Sequence, residues 1–125
     1  MINSESERSN ENVSDLNYLT GMMRGNKQLI KEIIDAFLKL IPEELHCIND
    51  AVTKKDYPII KKLAHKMRSS VSIMGISVIA PVLQEMEDLG AMAANIEKIK
   101  ELNQKINLIC KQAIEEIKRE KHNYV

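Results

Sequence analysis

Between about residues 26 and 55, apolar positions recur at steps of three and four: Ile30, Ile33, Ile34, Phe37, Leu38, Ile41, Leu45, Ile48 and Val52. Such spacing lays one apolar stripe along an α-helix. Pro42 falls inside the run, so the helix is expected to kink there or to split into two collinear pieces. Upstream, Ser14-Asp15 is placed to cap a short helix carrying Leu16, Tyr18 and Leu19, and MMRGN (Met22 to Asn26) reads as a turn. Downstream, KKDYP closes the long segment. Asp56 can cap the next helix, with Pro58 in its first turn, where a missing N–H costs little. That helix is predicted from about Tyr57 to Met74, closing near Gly75. Ser77 is expected to cap a fourth, through Val82, Leu83, Met86 and Leu89 to about Gly90, with Pro81 near its start. The last, about Asn95 to Lys121, carries Ile96, Ile99, Leu102, Ile106, Ile109, Ala113 and Ile117.

No stretch alternates like a strand, and no segment repeats. The pattern predicts an all-α fold: an antiparallel four-helix bundle of up-down topology with a short extra N-terminal helix. Proline and glycine cut the stripes into bundle lengths, against a sustained coiled coil. Residues 1–12 are polar and expected to form a disordered tail or linker. The bundle domain is expected over 13–121, and a short tail over 122–125.

Composition sharpens this reading. A chain of 125 residues, 44% apolar and 29% charged, suffices for one domain with a core. Four glycines, three prolines and no tryptophan suit long helices with few turns. Eighteen basic residues balance eighteen acidic ones, and this zero net charge argues against nucleic-acid binding. No apolar run approaches the roughly 18 residues of a membrane span, and the first dozen residues lack a signal peptide's apolar core. A cytoplasmic monomer is expected, without membrane contact. Cys47 and Cys110 stand alone, which fits free thiols better than a disulfide.

The candidate chemistry lies in LAHKMRSSVSIMG, Leu63 to Gly75. At about 100° per residue, Ile60, Leu63, Ala64, Met67, Val71 and Met74 cluster on one side of the helix, and His65 points about 140° away, into solvent. Lys61, Lys62, Arg68 and Ser69 share its face, with Ser72 one turn on. The cations are expected to keep the imidazole neutral and nucleophilic and to stabilise a phosphoryl group attached to it. A solvated basic face explains the same residues, and geometry alone does not choose. His65 has no His, Cys, Asp or Glu at i±3 or i±4 with which to chelate a metal, so no metal site is expected. There is no phosphate-binding glycine loop, GxSxG or HExxH. Glu85 and Asp88 share a face near Glu87, but a solvated helix surface is the simpler account of them.

The same stretch resembles the signature of histidine-containing phosphotransfer (HPt) domains: alanine-histidine-x-leucine-lysine-glycine, then a glycine ten residues after the histidine. Ala64-His65 match directly, Met67 stands for the leucine, Arg68 for the lysine and Gly75 for the second glycine. FLKLIPEELHCINDAVTKKDYPIIKKLAH is similar to the family's helix-proline-helix run, with Asp56 about nine residues before the histidine. The similarity spans about residues 15–118. Ser69 departs from the pattern, which has glycine there, and a glutamine that some members carry on the next helix is not evident, although Gln84 and Glu87 lie in that region. The resemblance implies a phosphorelay intermediate without kinase activity of its own, standing alone or belonging to a hybrid sensor histidine kinase. His65 would take a phosphoryl group from an aspartate of one response-regulator receiver domain and pass it to another. Arg68 would neutralise its charge, Lys61, Lys62 and Lys66 would add positive field, and Ser69, Ser72 and Gly75 would admit the partner. The chain would need no cofactor, since the receiver brings Mg2+. The alternative is a helical interaction module in which His65 is incidental.

Overall fold

The structure is a computed structural model that describes residues 12–124, and these are helical with no strand. A short helix α1 (Asn17–Met22) precedes four others: α2 (Lys27–Thr53), α3 (Tyr57–Ser72), α4 (Ala80–Met92) and α5 (Ile96–Lys121). Two 3-10 turns, Ser77–Ile79 and His122–Tyr124, lead into α4 and continue from α5. The expected tail 1–12 lies almost wholly outside the described residues. Within the expected tail 122–125, residues His122–Tyr124 continue from α5 as a 3-10 turn, and the Tyr124 hydroxyl sits 3.3 Å from that of Thr20.

Side-chain oxygens start three of the long helices by taking up an orphan N–H of the first turn. Asn26 accepts from Leu29 N at 3.1 Å, Asp56 from Ile59 N at 3.4 Å and Asn95 from Lys98 N at 3.2 Å. Pro58 follows Asp56 in the first turn, as the sequence indicates. Ser77 makes no such cap. The 3-10 turn that it begins feeds directly into α4, and Ile79 takes the capping position with no side-chain bond. Nor does Pro42 divide α2, which is one helix over 27 residues. The backbone bond lost at proline costs about 3 kcal/mol, but Ile34, Phe37, Ile41 and Ile48 on either side are anchored in the same core.

The four long helices form a ring, each packed on its chain neighbours and α5 returning to α2. Cross-contacts give directions. Asp35 of α2 pairs with Lys121 of α5 at 2.6 Å, while Asn49 bonds Asn103 and Asn107 at 2.7 and 2.9 Å, so these helices run antiparallel. The interior holds the predicted stripes: Ile30, Ile41 and Ile48 of α2, Ile60, Ala64 and Met67 of α3, Leu83 and Met86 of α4, and Ile99, Ile106 and Ile117 of α5. The asparagine trio fixes the α2–α5 register within that seam, because a slip of one turn would strand partly buried amides.

The N-terminal segment is tied down by polar groups that hydropathy does not reveal. Glu116 of α5, 3% exposed, accepts from Val13 N, Ser14 N and Ser14 Oγ at 3.0, 2.9 and 2.7 Å. Asp15 N donates to Met74 O at the end of α3, at 3.0 Å. Ser14 thus joins the segment to α5 and caps nothing.

Candidate functional site

Ala64 and Met67 bury their side chains against the other helices, which holds α3 fast and turns His65 outward; its side chain is 66% exposed. Lys61, Lys62, Lys66 and Ser69 are exposed on the same helix and Arg68 half-buried, as the 100° rotation predicts.

What the sequence leaves unassigned arrives from α4. That helix approaches α3 closely because Gly90 faces Lys61: a Cβ at Gly90 would lie 3.0 Å from the Lys61 amide nitrogen. Gly90 is therefore a packing point as well as a residue of the last turn, and α4 ends at Met92, near the expected place. Across the narrow seam Glu87 bridges two groups of α3. Its Oε2 is 3.1 Å from His65 Nδ1, and its Oε1 3.3 Å from Arg68 Nη2. Arg68 also donates through Nη1 to Gln84 Oε1, and Gln84 Nε2 donates to Asp88 Oδ1 at 3.0 Å. Arg68 Nη2 lies 3.2 Å from His65 Nδ1 as well.

These contacts select a tautomer. A carboxylate only accepts and a guanidinium only donates, so Glu87 and Arg68 ask opposite things of Nδ1. With the proton on Nδ1 the imidazole donates to Glu87, and Arg68 keeps its ion pair with Glu87 and its acceptor on Gln84. With the proton on Nε2, a ring lone pair would face the carboxylate at 3.1 Å. The Nδ1–H form gives the carboxylate a ring donor and leaves the Nε2 lone pair pointing away from Glu87, while Glu87 Oε1 and Arg68 Nε keep no hydrogen-bond partner.

The other predicted residues separate into three places. Lys61 and Lys62 line an open hollow with Pro58, His65 and Glu87. Lys66 projects on the opposite flank, where its charge acts on Glu44 of α2. Ser69 borders a second, apolar groove between α2 and α3 with Ile33, Phe37, Leu40 and Ile73, and Ser72 donates to the Ser69 carbonyl at 3.1 Å. Gly75 does not open a surface for a partner. At φ +65° it adopts the left-handed conformation, and the room left by its missing side chain is filled by the backbone of Asp15.

Glu44 was also missed, although it falls three residues after Ile41 in the apolar stripe. It is 7% exposed and accepts from Ser70 Oγ at 3.2 Å. Burial raises its carboxyl above the usual range, against the pull of Ser70 and Lys66. Nearby Cys110 is pushed up to about 12, by burial first and the Glu44 charge second, which leaves an inert thiol. Among the described residues no group of three His, Cys, Asp or Glu could hold a metal ion. Among the described residues no helix is long and apolar enough to cross a membrane.

The site is thus an exposed histidine on a well-anchored helix, held from the neighbouring helix. The family model described as Hpt domain matches residues 32–120. The chain belongs to the Hpt domain family. No curated protein and no solved structure matches the chain. The Hpt match begins in the second turn of α2 and runs almost to the end of α5, taking in the four long helices and leaving out α1. Hpt domains are phosphotransfer modules of phosphorelay signalling that work with receiver domains and kinases and are not themselves kinases.

Proposed function

We propose that His65 is the phosphoacceptor, taking a phosphoryl group at Nε2 from a receiver-domain aspartate and passing it to the aspartate of another receiver. One observation carries the reading: His65 is exposed while its Nδ1 is engaged by Glu87 at 3.1 Å, so the free ring nitrogen faces the approach path. The Nε2 lone pair attacks phosphorus, the bond to the aspartyl oxygen breaks, and the carboxylate departs; the onward step reverses these roles on a second receiver. Lys61 and Lys62 stand beside the hollow to offset phosphoryl charge, and Arg68 sits one turn from the ring. The receiver contributes Mg2+ and the aspartates, and its body rests along the apolar groove beside Ser69. A hybrid sensor kinase is the natural source of the incoming phosphoryl group, and a cytoplasmic monomer suits the exchange.

The test is His65→Gln. The variant should take no acid-labile phosphate from a phosphorylated receiver. Because the side chain is mostly exposed, its stability should remain within about 0.5 kcal/mol of the parent by urea titration. Undiminished labelling of the variant would overturn the proposal and leave a helical interaction module in its place.

A further inference from the structure

The group that touches Nδ1 of His65 is a carboxylate. A neutral acceptor would orient the ring equally well; a charged one also sets the energy of the proton it holds. The other charged groups facing the ring come from α3 (Lys61, Lys62 and Arg68), and all are cations that disfavour positive charge on the imidazole. From α4, Asp88 is engaged by Gln84, so among the described residues Glu87 alone brings negative charge into contact with the ring.

Proton bookkeeping shows why this matters. Before transfer the imidazole is neutral, with a proton on Nδ1 and a lone pair on Nε2. When Nε2 bonds to phosphorus and the P–O bond breaks, the ring becomes cationic and still carries that proton. If the proton stays, the next N–P cleavage returns the electron pair to Nε2 and expels neutral imidazole. If it leaves, the same cleavage must expel imidazolate, a far poorer leaving group. We infer that the Glu87 carboxylate retains the proton on His65 Nδ1 throughout the phosphorylated state, which keeps the phosphoryl group transferable at pH values where a free phosphohistidine would lose it. Glu87 is thus a positioning residue with an electrostatic task. The inference rests on His65 being the acceptor.

The experiment needs no partner. The full chain is phosphorylated with phosphoramidate, freed of reagent, and its loss of phosphate to water followed from about pH 6 to 9, across the ordinary histidine range. Hydrolysis breaks the same N–P bond and expels the same leaving group. The parent should show a rate that changes little over this range. Glu87→Gln should match it at the acid end, then fall away by up to tenfold for each pH unit once the ring proton titrates. A ratio of the two rates that stays constant with pH would overturn the inference, since a merely orienting side chain shifts all rates alike. Ring 15N shifts of the phosphorylated parent give a second reading independent of any variant: Nδ1 should remain protonated at the alkaline end, and its deprotonation near neutrality would equally refute the role of Glu87. His65→Gln, run in parallel, should take no label; label on that variant would discredit the acceptor assignment rather than the proton's retention.

Discussion

Glu44 and Glu116 both turn carboxyl groups inward, yet their surroundings treat the charge differently. At Glu116, burial opposes ionisation, but hydrogen bonds from Ser14 and Val13 outweigh it and hold the carboxyl below its usual value. At Glu44 burial prevails, Oε1 has no hydrogen-bond partner, and the carboxyl is raised. The signs of their effects on folding are therefore opposite. The Glu116 contribution is complete above the unfolded carboxyl's value of about 4.3 and disappears as pH falls through the lower folded value. Glu116→Gln should accordingly lose about 1–3 kcal/mol at pH 7 and much less in acid, as read from urea midpoints. Glu44 costs nothing where both states are protonated, and its penalty grows as pH rises toward the folded value. Glu44→Gln keeps an acceptor for Ser70 and should gain about 1 kcal/mol at pH 7, with no gain below about pH 4; a loss at neutrality would show that the carboxylate is stabilised there. Neither residue was legible from hydropathy, because a stripe rule scores what a position lacks in apolarity and is silent on which N–H will arrive to meet it.

At the level of elements, α2, α3 and α5 follow the sequence closely, since each has a capping side chain and an unbroken stripe. The reading that failed, Ser77 as a cap, treated residue type as punctuation. Ser77 lies in a 3-10 turn, and Gly90 is small because another backbone is close. The same limit explains the site. His65, Arg68 and the lysines share one helix and could be grouped by angle, whereas the Glu87 contact spans 22 residues and depends on the α3–α4 register. Gly90 sets that spacing, so Gly90→Ala should separate activity from stability. The added methyl gains helix propensity of up to about 1 kcal/mol while pushing against Lys61, so the melting temperature should move little. Phosphotransfer should fall several-fold as Glu87 recedes from the ring; an unchanged rate would show that the close approach is irrelevant to the site.

For the whole molecule, zero net charge coexists with a cationic flank around His65, so the electrostatic information lies in distribution rather than in the total. The two ends of the described chain have a consequence of their own. Val13 and Ser14 are fastened to Glu116, and Tyr124 reaches back to Thr20, so both ends lie at the pole where α3 finishes and α5 stops. His65 sits halfway along α3 and looks out sideways. Both points of attachment to the bundle thus share one pole, like a stem, away from the flank on which the histidine meets its visitors.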